Sequence, residues 1–263
     1  MTGGGARAAR LMFHPSYSVR RLSLRNAGSS PRRIIRSRLI VAFLLAAASV
    51  LVQSTPAMAS CNPNRTDDGH DYQVGWLRIP SGYQPRAVYA DIKNYNPYMK
   101  SGSANTTAWV MLNLYPGWWA QVGWYKESSG TRQNFYDWTD TQAHGNIGFF
   151  AADTVGSYPT YKVSDRTSPG SFQFFHNGAL IWTVAEKFTP ARGAIYGETH
   201  TLANQMPGGS NFVSYGEDFT NAHIFFASSN QVFDGTTYGN TTYFDYNKVS
   251  TTETYIWDKA CTQ

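Results

Sequence analysis

One short segment carries a polar side chain where a strand would ordinarily bury apolar ones. The segment Trp119-Ala120-Gln121-Val122-Gly123-Trp124-Tyr125 is rich in Trp, Tyr and Val, which favour strands, and side chains in a strand point alternately to opposite faces. Gln121 is therefore expected on the same face as Trp119 and Tyr125. A glutamine amide among aromatic rings costs free energy unless it is hydrogen-bonded or used. The alternative interpretation is a satisfied polar side chain on a solvated sheet face.

A second segment repeats this pattern with groups that can titrate. In Ala194-Ile195-Tyr196-Gly197-Glu198-Thr199-His200, alternation places Tyr196, Glu198 and His200 on one face. Carboxylates in aromatic surroundings are candidates for proton transfer, although a solvated sheet face again accounts for each residue taken alone.

Several familiar types of site are missing from the sequence. It has no G-x-S-x-G elbow, H-E-x-x-H, P-loop or G-x-G-x-x-G, the motifs that mark common hydrolase, zinc and nucleotide sites. No histidine lies at metal-ligand spacing from another histidine or from a cysteine. We therefore expect neither a metal nor a cofactor.

The elements that would position these residues are short strands. Segments of four to nine residues rich in Val, Ile and aromatic residues alternate with Gly, Pro, Asn and Ser, and none has helical periodicity. This pattern predicts an all-β domain, an antiparallel two-sheet sandwich of jelly-roll, concanavalin-like type. Asn177-Gly178 predicts a hairpin turn between strands 171–175 and 180–184. The predicted strands are Tyr72–Ile79, Ala87–Tyr95, Thr107–Tyr115, Ala120–Lys126, Gln133–Trp138, Ile147–Ala151, Thr160–Ser164, Ser171–Phe175, Leu180–Val184, Gly193–His200, Ala222–Ala227, Thr241–Tyr246 and Thr252–Trp257.

The first 59 residues are typical of a cleaved signal peptide. An arginine-rich stretch is followed by the apolar run Leu39–Val52 and by Ala57-Met58-Ala59, an A-x-A cleavage site. We expect residues 60–263 to form a single secreted, extracellular domain with no stable membrane association. The alternative is an uncleaved membrane anchor, which the polar break after Val52 disfavours.

Cleavage would change the charge of the protein. Of its 22 Lys and Arg, nine lie in the first 38 residues, which leaves 13 basic against 17 acidic residues, a net charge of about −4. Because the remaining chain has no basic cluster, a nucleic-acid partner is disfavoured.

The two cysteines lie at the ends of the expected mature chain. Cys61 and Cys261 are expected to form a disulfide, since exported proteins meet an oxidising environment. Lipidation of Cys61, which would leave Cys261 without a partner, is the alternative.

A series of short motifs runs along about residues 107–226. One set is Thr107-Ala108-Trp109-Val110, Ala120-Gln121-Val122-Gly123, Phe135-Tyr136-Asp137-Trp138 and Phe219-Thr220-Asn221-Ala222. A second set is Thr131-Arg132 with Phe135-Tyr136-Asp137-Trp138-Thr139, Ser168–Phe172, and Tyr196-Gly197-Glu198 followed by Gln205-Met206-Pro207-Gly208. The order of the first set resembles that in the eqolisins, the acid-acting glutamic endopeptidases. The second set is similar to motifs of neprosin, a related glutamic peptidase.

The resemblance implies a role for each matching residue. Glu198 matches the catalytic glutamate of both families, and Gln121 matches the catalytic glutamine of the eqolisins, where neprosin has a second glutamate. Trp109 matches a substrate-cleft tryptophan and Asp137 an acid beside the site. Tyr196, on the predicted face of Glu198, is expected to join Trp109 as a wall of the substrate cleft. The implied reaction is hydrolysis of peptide bonds at acid pH, with an extracellular polypeptide as substrate and a monomeric enzyme.

Two functions of another kind remain open. Abundant Trp and Tyr suit a non-catalytic carbohydrate-binding sandwich as well as a peptide cleft. A glycosidase would need a second carboxyl group beside Glu198, for which Asp137 and Glu217 are candidates.

Overall fold

The computed structural model describes residues 62–80, 82–100, 102, 105–167, 170–206, 217–227 and 229–261. The leader, its cleavage site and Cys61 lie outside these ranges, so the signal peptide, the start of the mature domain and the disulfide stay predictions. Cys261 is buried at the end of a short 3-10 helix, Lys259–Cys261. Within the described ranges, no helix is long and apolar enough to cross a bilayer.

The described chain forms two antiparallel sheets. The strands are β1 Tyr72–Arg78, β2 Pro85–Ile92, β3 Thr106–Leu114, β4 Trp118–Lys126, β5 Arg132–Thr141, β6 His144–Phe150, β7 Thr160–Thr167, β8 Gly170–His176, β9 Ala179–Ala185, β10 Arg192–Thr199, β11 Glu217–Phe226, β12 Ser229–Val232, β13 Thr236–Gly239, β14 Phe244–Lys248 and β15 Thr254–Asp258. The first sheet, sheet A, has the strand order β13-β1-β10-β3-β4-β5-β6, and the second, sheet B, has β14-β15-β11-β2-β7-β8-β9 with β12 paired to β11. The predicted all-β, two-sheet sandwich is confirmed, and the narrower jelly-roll, concanavalin-like assignment stays a prediction.

Each predicted strand overlaps an observed one, and the predicted hairpin is present. Asn177 and Gly178 both have positive φ, 49° and 78°, and His176 pairs with Ala179 across the turn, as a two-residue hairpin requires. The sequence patterns missed β12 and β13, which have only four residues each.

The core lies between the sheets. The inward side chains of β3 and β4, such as Ala108, Val110, Val122 and Trp124, are buried in it. Trp124 is 1% exposed, and its indole N–H donates to the carbonyl oxygen of Lys93 at 3.1 Å, which satisfies the only polar atom of the ring.

The outward face of sheet A is also partly buried. Trp109, Met111, Phe135 and Tyr196 form a second apolar cluster there. Strands β3, β4, β5 and β10 are thus held from both sides, which gives the polar residues of this face a rigid support.

Candidate active site

The site lies on the outward face of sheet A, across its central strands. In the registers of neighbouring strands, Glu198 on β10 is opposite Thr107 on β3, and Gln121 on β4 is opposite Asp137 on β5. Glu198, Gln121 and Asp137 line one cavity of about 540 Å³. This volume is in the range of small-molecule and peptide-side-chain pockets.

The carboxylate of Glu198 is held on the wall of this cavity by three side chains. Its Oε2 accepts a hydrogen bond from Trp109 Nε1 at 3.0 Å, and the side chain of Gln73, directly opposite on β1, also bonds to it. Oε1 lies 3.6 Å from His200 Nε2. The Glu198 side chain is only 13% exposed.

The surroundings of Glu198 change its proton affinity in opposing directions. Burial raises its pKa above the ordinary value, because the charged form loses hydration. The positive charge of His200 and the hydrogen bonds from Gln73 and Trp109 act in the other direction, and the negative charge of Asp71 adds to the rise. The net effect is a raised pKa, which suits a base that exchanges protons during a reaction.

Gln121 and Asp137 form a hydrogen-bonded pair on the wall of the same cavity. Gln121 Nε2 donates to Asp137 Oδ2 at 3.0 Å, and Trp119 Nε1 donates to the same oxygen at 2.7 Å. The bond to Asp137 fixes the orientation of the Gln121 amide, because it engages one of the two N–H groups.

Asp137 combines burial with one unsatisfied oxygen. Desolvation raises its pKa to about 6, the charge of Glu198 adds to the rise, and the bonds from Trp119 and Gln121 oppose it. Asp137 Oδ1 is buried without a hydrogen-bond partner, and a Cβ added to Gly145 would lie 3.1 Å from it. A side chain at position 145 would therefore crowd this oxygen.

Of the two aromatic residues expected as walls of the substrate cleft, Trp109 lines the cavity and Tyr196 does not. Trp109 lines the cavity and is fixed through its bond to Glu198. Tyr196 lies on the predicted face but is 3% exposed and is absent from the cavity wall. It stacks on Tyr238 of β13, with ring centroids 5.9 Å apart, and meets the Trp109 ring edge-on at 5.0 Å. Tyr196 therefore supports Trp109 from behind.

The cavity also contains residues that sequence reasoning did not assign to it. Gln73 reaches the cavity from β1, and Asp71 from the residue that precedes this strand. Thr107 and Asn113 line the wall, and each has a buried side-chain oxygen with no hydrogen-bond partner. Buried polar atoms usually have partners, so these oxygens, with Asp137 Oδ1, mark a surface that a ligand or water would complete.

Metal binding and glycoside hydrolysis each need a particular set of side chains. In the described part of the chain, no group of three or more His, Cys, Asp or Glu has the arrangement of a metal site. Of the two acids considered as partners for Glu198 in a glycosidase, Asp137 lines the cavity, whereas Glu217 is on β11 of sheet B.

In fold, the chain resembles the glutamic peptidases of the eqolisin family. SCP-B, a member of that family solved with the tripeptide Ala-Ile-His, is 15% identical over 73% of this chain and 100% of its own, with a TM-score of 0.50. Scytalido-glutamic peptidase, solved with a peptide-based transition-state analogue, gives the same identity and coverage and a TM-score of 0.49. At 15% identity, the likeness to SCP-B shows the fold alone. No protein-family model and no curated protein sequence matches the chain.

Proposed function

We propose that this protein is a glutamic-peptidase-like hydrolase that cleaves peptide bonds with water. The observation that carries the proposal is the placement of Glu198 and Gln121 in one cavity, where each is held by hydrogen bonds to neighbouring side chains. Two groups of this kind can supply a base and a hydrogen-bond donor for the same scissile bond.

Glu198 is the base in this proposal. As a carboxylate it takes a proton from a water molecule, whose oxygen attacks the carbonyl carbon of the peptide bond. When the tetrahedral intermediate collapses, the C–N bond breaks and the proton passes from Glu198 to the leaving nitrogen. Trp109 and Gln73 keep the carboxylate aimed while this happens.

Gln121 is the donor to the oxyanion. One of its amide N–H groups is engaged by Asp137, so the other is oriented for the negative oxygen of the intermediate. A negative charge on Asp137 would oppose this role. With a pKa of about 6, Asp137 is mostly neutral at more acid pH.

These two carboxyl groups define an acidic working range. Activity should fall at low pH as Glu198 becomes protonated, and it should fall again above about pH 6 as Asp137 ionises. The proposed setting is outside the cell, with a polypeptide as substrate and the protein acting as a monomer. The tripeptide bound by SCP-B supports a peptide as the ligand.

The experiment is an assay of the purified protein on a denatured protein substrate between about pH 3 and 7. Glu198→Gln should abolish cleavage, because it removes the base and keeps the shape. Gln121→Ala should lower kcat by about 10²–10³-fold, the usual loss for one oxyanion donor. Glu127→Gln, which alters an acid outside the cavity wall, is the matched control and should retain full activity.

The competing function is carbohydrate binding. Trp109, Trp118 and Trp119 line the cavity, and aromatic rings stack on sugars as well as on peptides. If the wild-type protein leaves the protein substrate intact at every pH but is retarded in gels that contain a soluble polysaccharide, the binding function replaces the peptidase. Release of reducing sugar, lost in both Glu198→Gln and Asp137→Asn, would instead indicate a glycosidase.

A further inference from the structure

Beyond the end of the ladder between β1 and β10, one more pair of side chains faces the cavity. Tyr72 pairs with Thr199 and Gln73 with Glu198, so Asp71 and His200 form the next pair, on the same face as Glu198. His200 N–H donates to the carbonyl oxygen of Asn105 at 3.1 Å, which continues the pairing with the start of β3. Both Asp71 and His200 line the cavity.

The two side chains form an ordered chain that ends on Glu198. His200 Nδ1 lies 2.6 Å from Asp71 Oδ1, and His200 Nε2 lies 3.6 Å from Glu198 Oε1. A carboxylate bound to one ring nitrogen fixes the orientation of an imidazole and directs the other nitrogen. Here the second nitrogen is directed at Glu198.

We propose that His200, oriented by Asp71, is a positioning residue that holds Glu198 as an aligned, ionised base at acid pH. This inference rests on the proposed peptidase function. It adds that His200 sets the lower pH limit of the activity. An imidazole is positively charged at acid pH, and its charge opposes the effect of burial on Glu198.

Other titratable groups around the pair lie on neighbouring strands and in the segment that precedes β1. Tyr125 on β4 and Asp137 on β5 line the same cavity. Asp67 accepts from Thr201 Oγ1 at 2.8 Å, and Asp68 accepts from the backbone N–H of Leu202 at 3.3 Å. These aspartates bond to residues that follow His200, whereas Asp71 bonds to its ring, so the orientation of the imidazole depends on Asp71.

The indole of Trp109 offers a measurement that does not need activity. Its N–H donates to Glu198 Oε2, so its ¹H–¹⁵N resonance should move when Glu198 gains or loses a proton. Trp109→Phe identifies the resonance, and Glu198→Gln should remove its acidic titration step. The midpoint of that step can then be compared among variants of the purified protein.

In His200→Gln, two quantities should move to higher pH by about one unit: the midpoint of the titration step seen at the Trp109 indole resonance, and the acid limb of kcat/KM. The reason is that Glu198 loses a neighbouring opposite charge. His200→Lys retains a positive charge and should return both toward the wild-type values. His144→Gln is the matched control, since His144 forms a similar pair with Asp140 at 2.8 Å outside the cavity wall, and it should change neither.

The outcomes separate the two proposals. A Trp109 midpoint in His200→Gln equal to that of wild type and His144→Gln overturns the role of His200, even if the protein is a peptidase. A moved midpoint in a protein that cleaves no peptide supports the contact between His200 and Glu198 and removes the peptidase. A His200→Lys midpoint that stays with that of His200→Gln would show that charge is not what His200 supplies.

Discussion

Asp137 shows how a single residue can suit the site at a cost to the fold. Its carboxyl group accepts bonds from Gln121 and Trp119 and leaves one oxygen unsatisfied. Burial raises its pKa to about 6, well above the value of about 3.9 for an unfolded chain. The folded state therefore binds a proton more tightly than the unfolded state, and the stability that this provides below about pH 4 is lost as the pH rises through 6.

Replacing Asp137 with Asn should make the protein more stable at neutral pH. The amide imitates the protonated carboxyl group, so the variant avoids burying a charge, and the gain should reach up to about 3 kcal/mol at pH 7. At pH 3.5 the gain should vanish. Urea unfolding at the two pH values measures it. An equal gain at both would mean that titration of Asp137 is not its cause.

At the scale of elements, the site depends on how closely β3 and β4 approach each other. A Cβ built on Gly123 would lie 1.9 Å from the carbonyl oxygen of Ala108 and 2.8 Å from the Cβ of Trp109. The first of these atoms belongs to backbone and cannot turn aside. Gly123 thus allows the close pairing in which Trp109 of β3 lies directly opposite Gly123 and Met111 lies opposite Gln121 of β4.

Gly123→Ala should therefore destabilise the protein by about 3 kcal/mol or more, because the added methyl group pushes a paired strand away. The matched control is Gly130→Ala. Gly130 has open space around it and φ of +87°, so its replacement should cost only about 1 kcal/mol of backbone strain. If urea unfolding shows that Gly123→Ala loses no more stability than Gly130→Ala, then β3 and β4 can separate at little cost. The rigid support inferred for the site would then be wrong.

Alternation along single strands predicted much of this arrangement. The shared face of Trp119, Gln121 and Tyr125 is confirmed, because all three line the cavity, whereas Ala120 and Val122 enter the core. Such a pattern needs only the geometry of one strand. Their catalytic roles stay predictions.

The remaining features depend on which strands become neighbours. Tyr196 was expected at the cleft but is covered by Tyr238. That ring comes from β13, a four-residue strand that pairs with β1 and has Tyr238 as its one aromatic residue. So short a strand gives no alternating pattern to recognise. Asp71 reaches His200 only because β1 lies beside β10, a pairing between distant segments that one sequence does not reveal.

At the scale of the whole molecule, the two ends of the described chain are tied together. Arg65 donates to both oxygens of Asp258, at 3.2 and 2.7 Å, and its guanidinium lies over the rings of Tyr243 and Phe244. The Asp258 side chain is fully buried. Cys261 follows three residues after Asp258, and its disulfide with Cys61 stays a prediction.

Arg65→Ala tests how much this contact between the two ends contributes to stability. It leaves a buried carboxylate without its positive partner and should cost about 3–5 kcal/mol at pH 7. Burial raises the pKa of Asp258 and Arg65 lowers it, so without Arg65 the pKa rises further, and the loss should shrink as acid protonates Asp258. Lys248→Ala removes an exposed ion pair with Asp234 and should cost at most about 1 kcal/mol at either pH. Urea unfolding at pH 7 and 4, with the cysteines in the same oxidation state, compares the stabilities of the two variants. If the loss of stability in Arg65→Ala is as small as that in Lys248→Ala, or does not change with pH, the termini are held by other contacts.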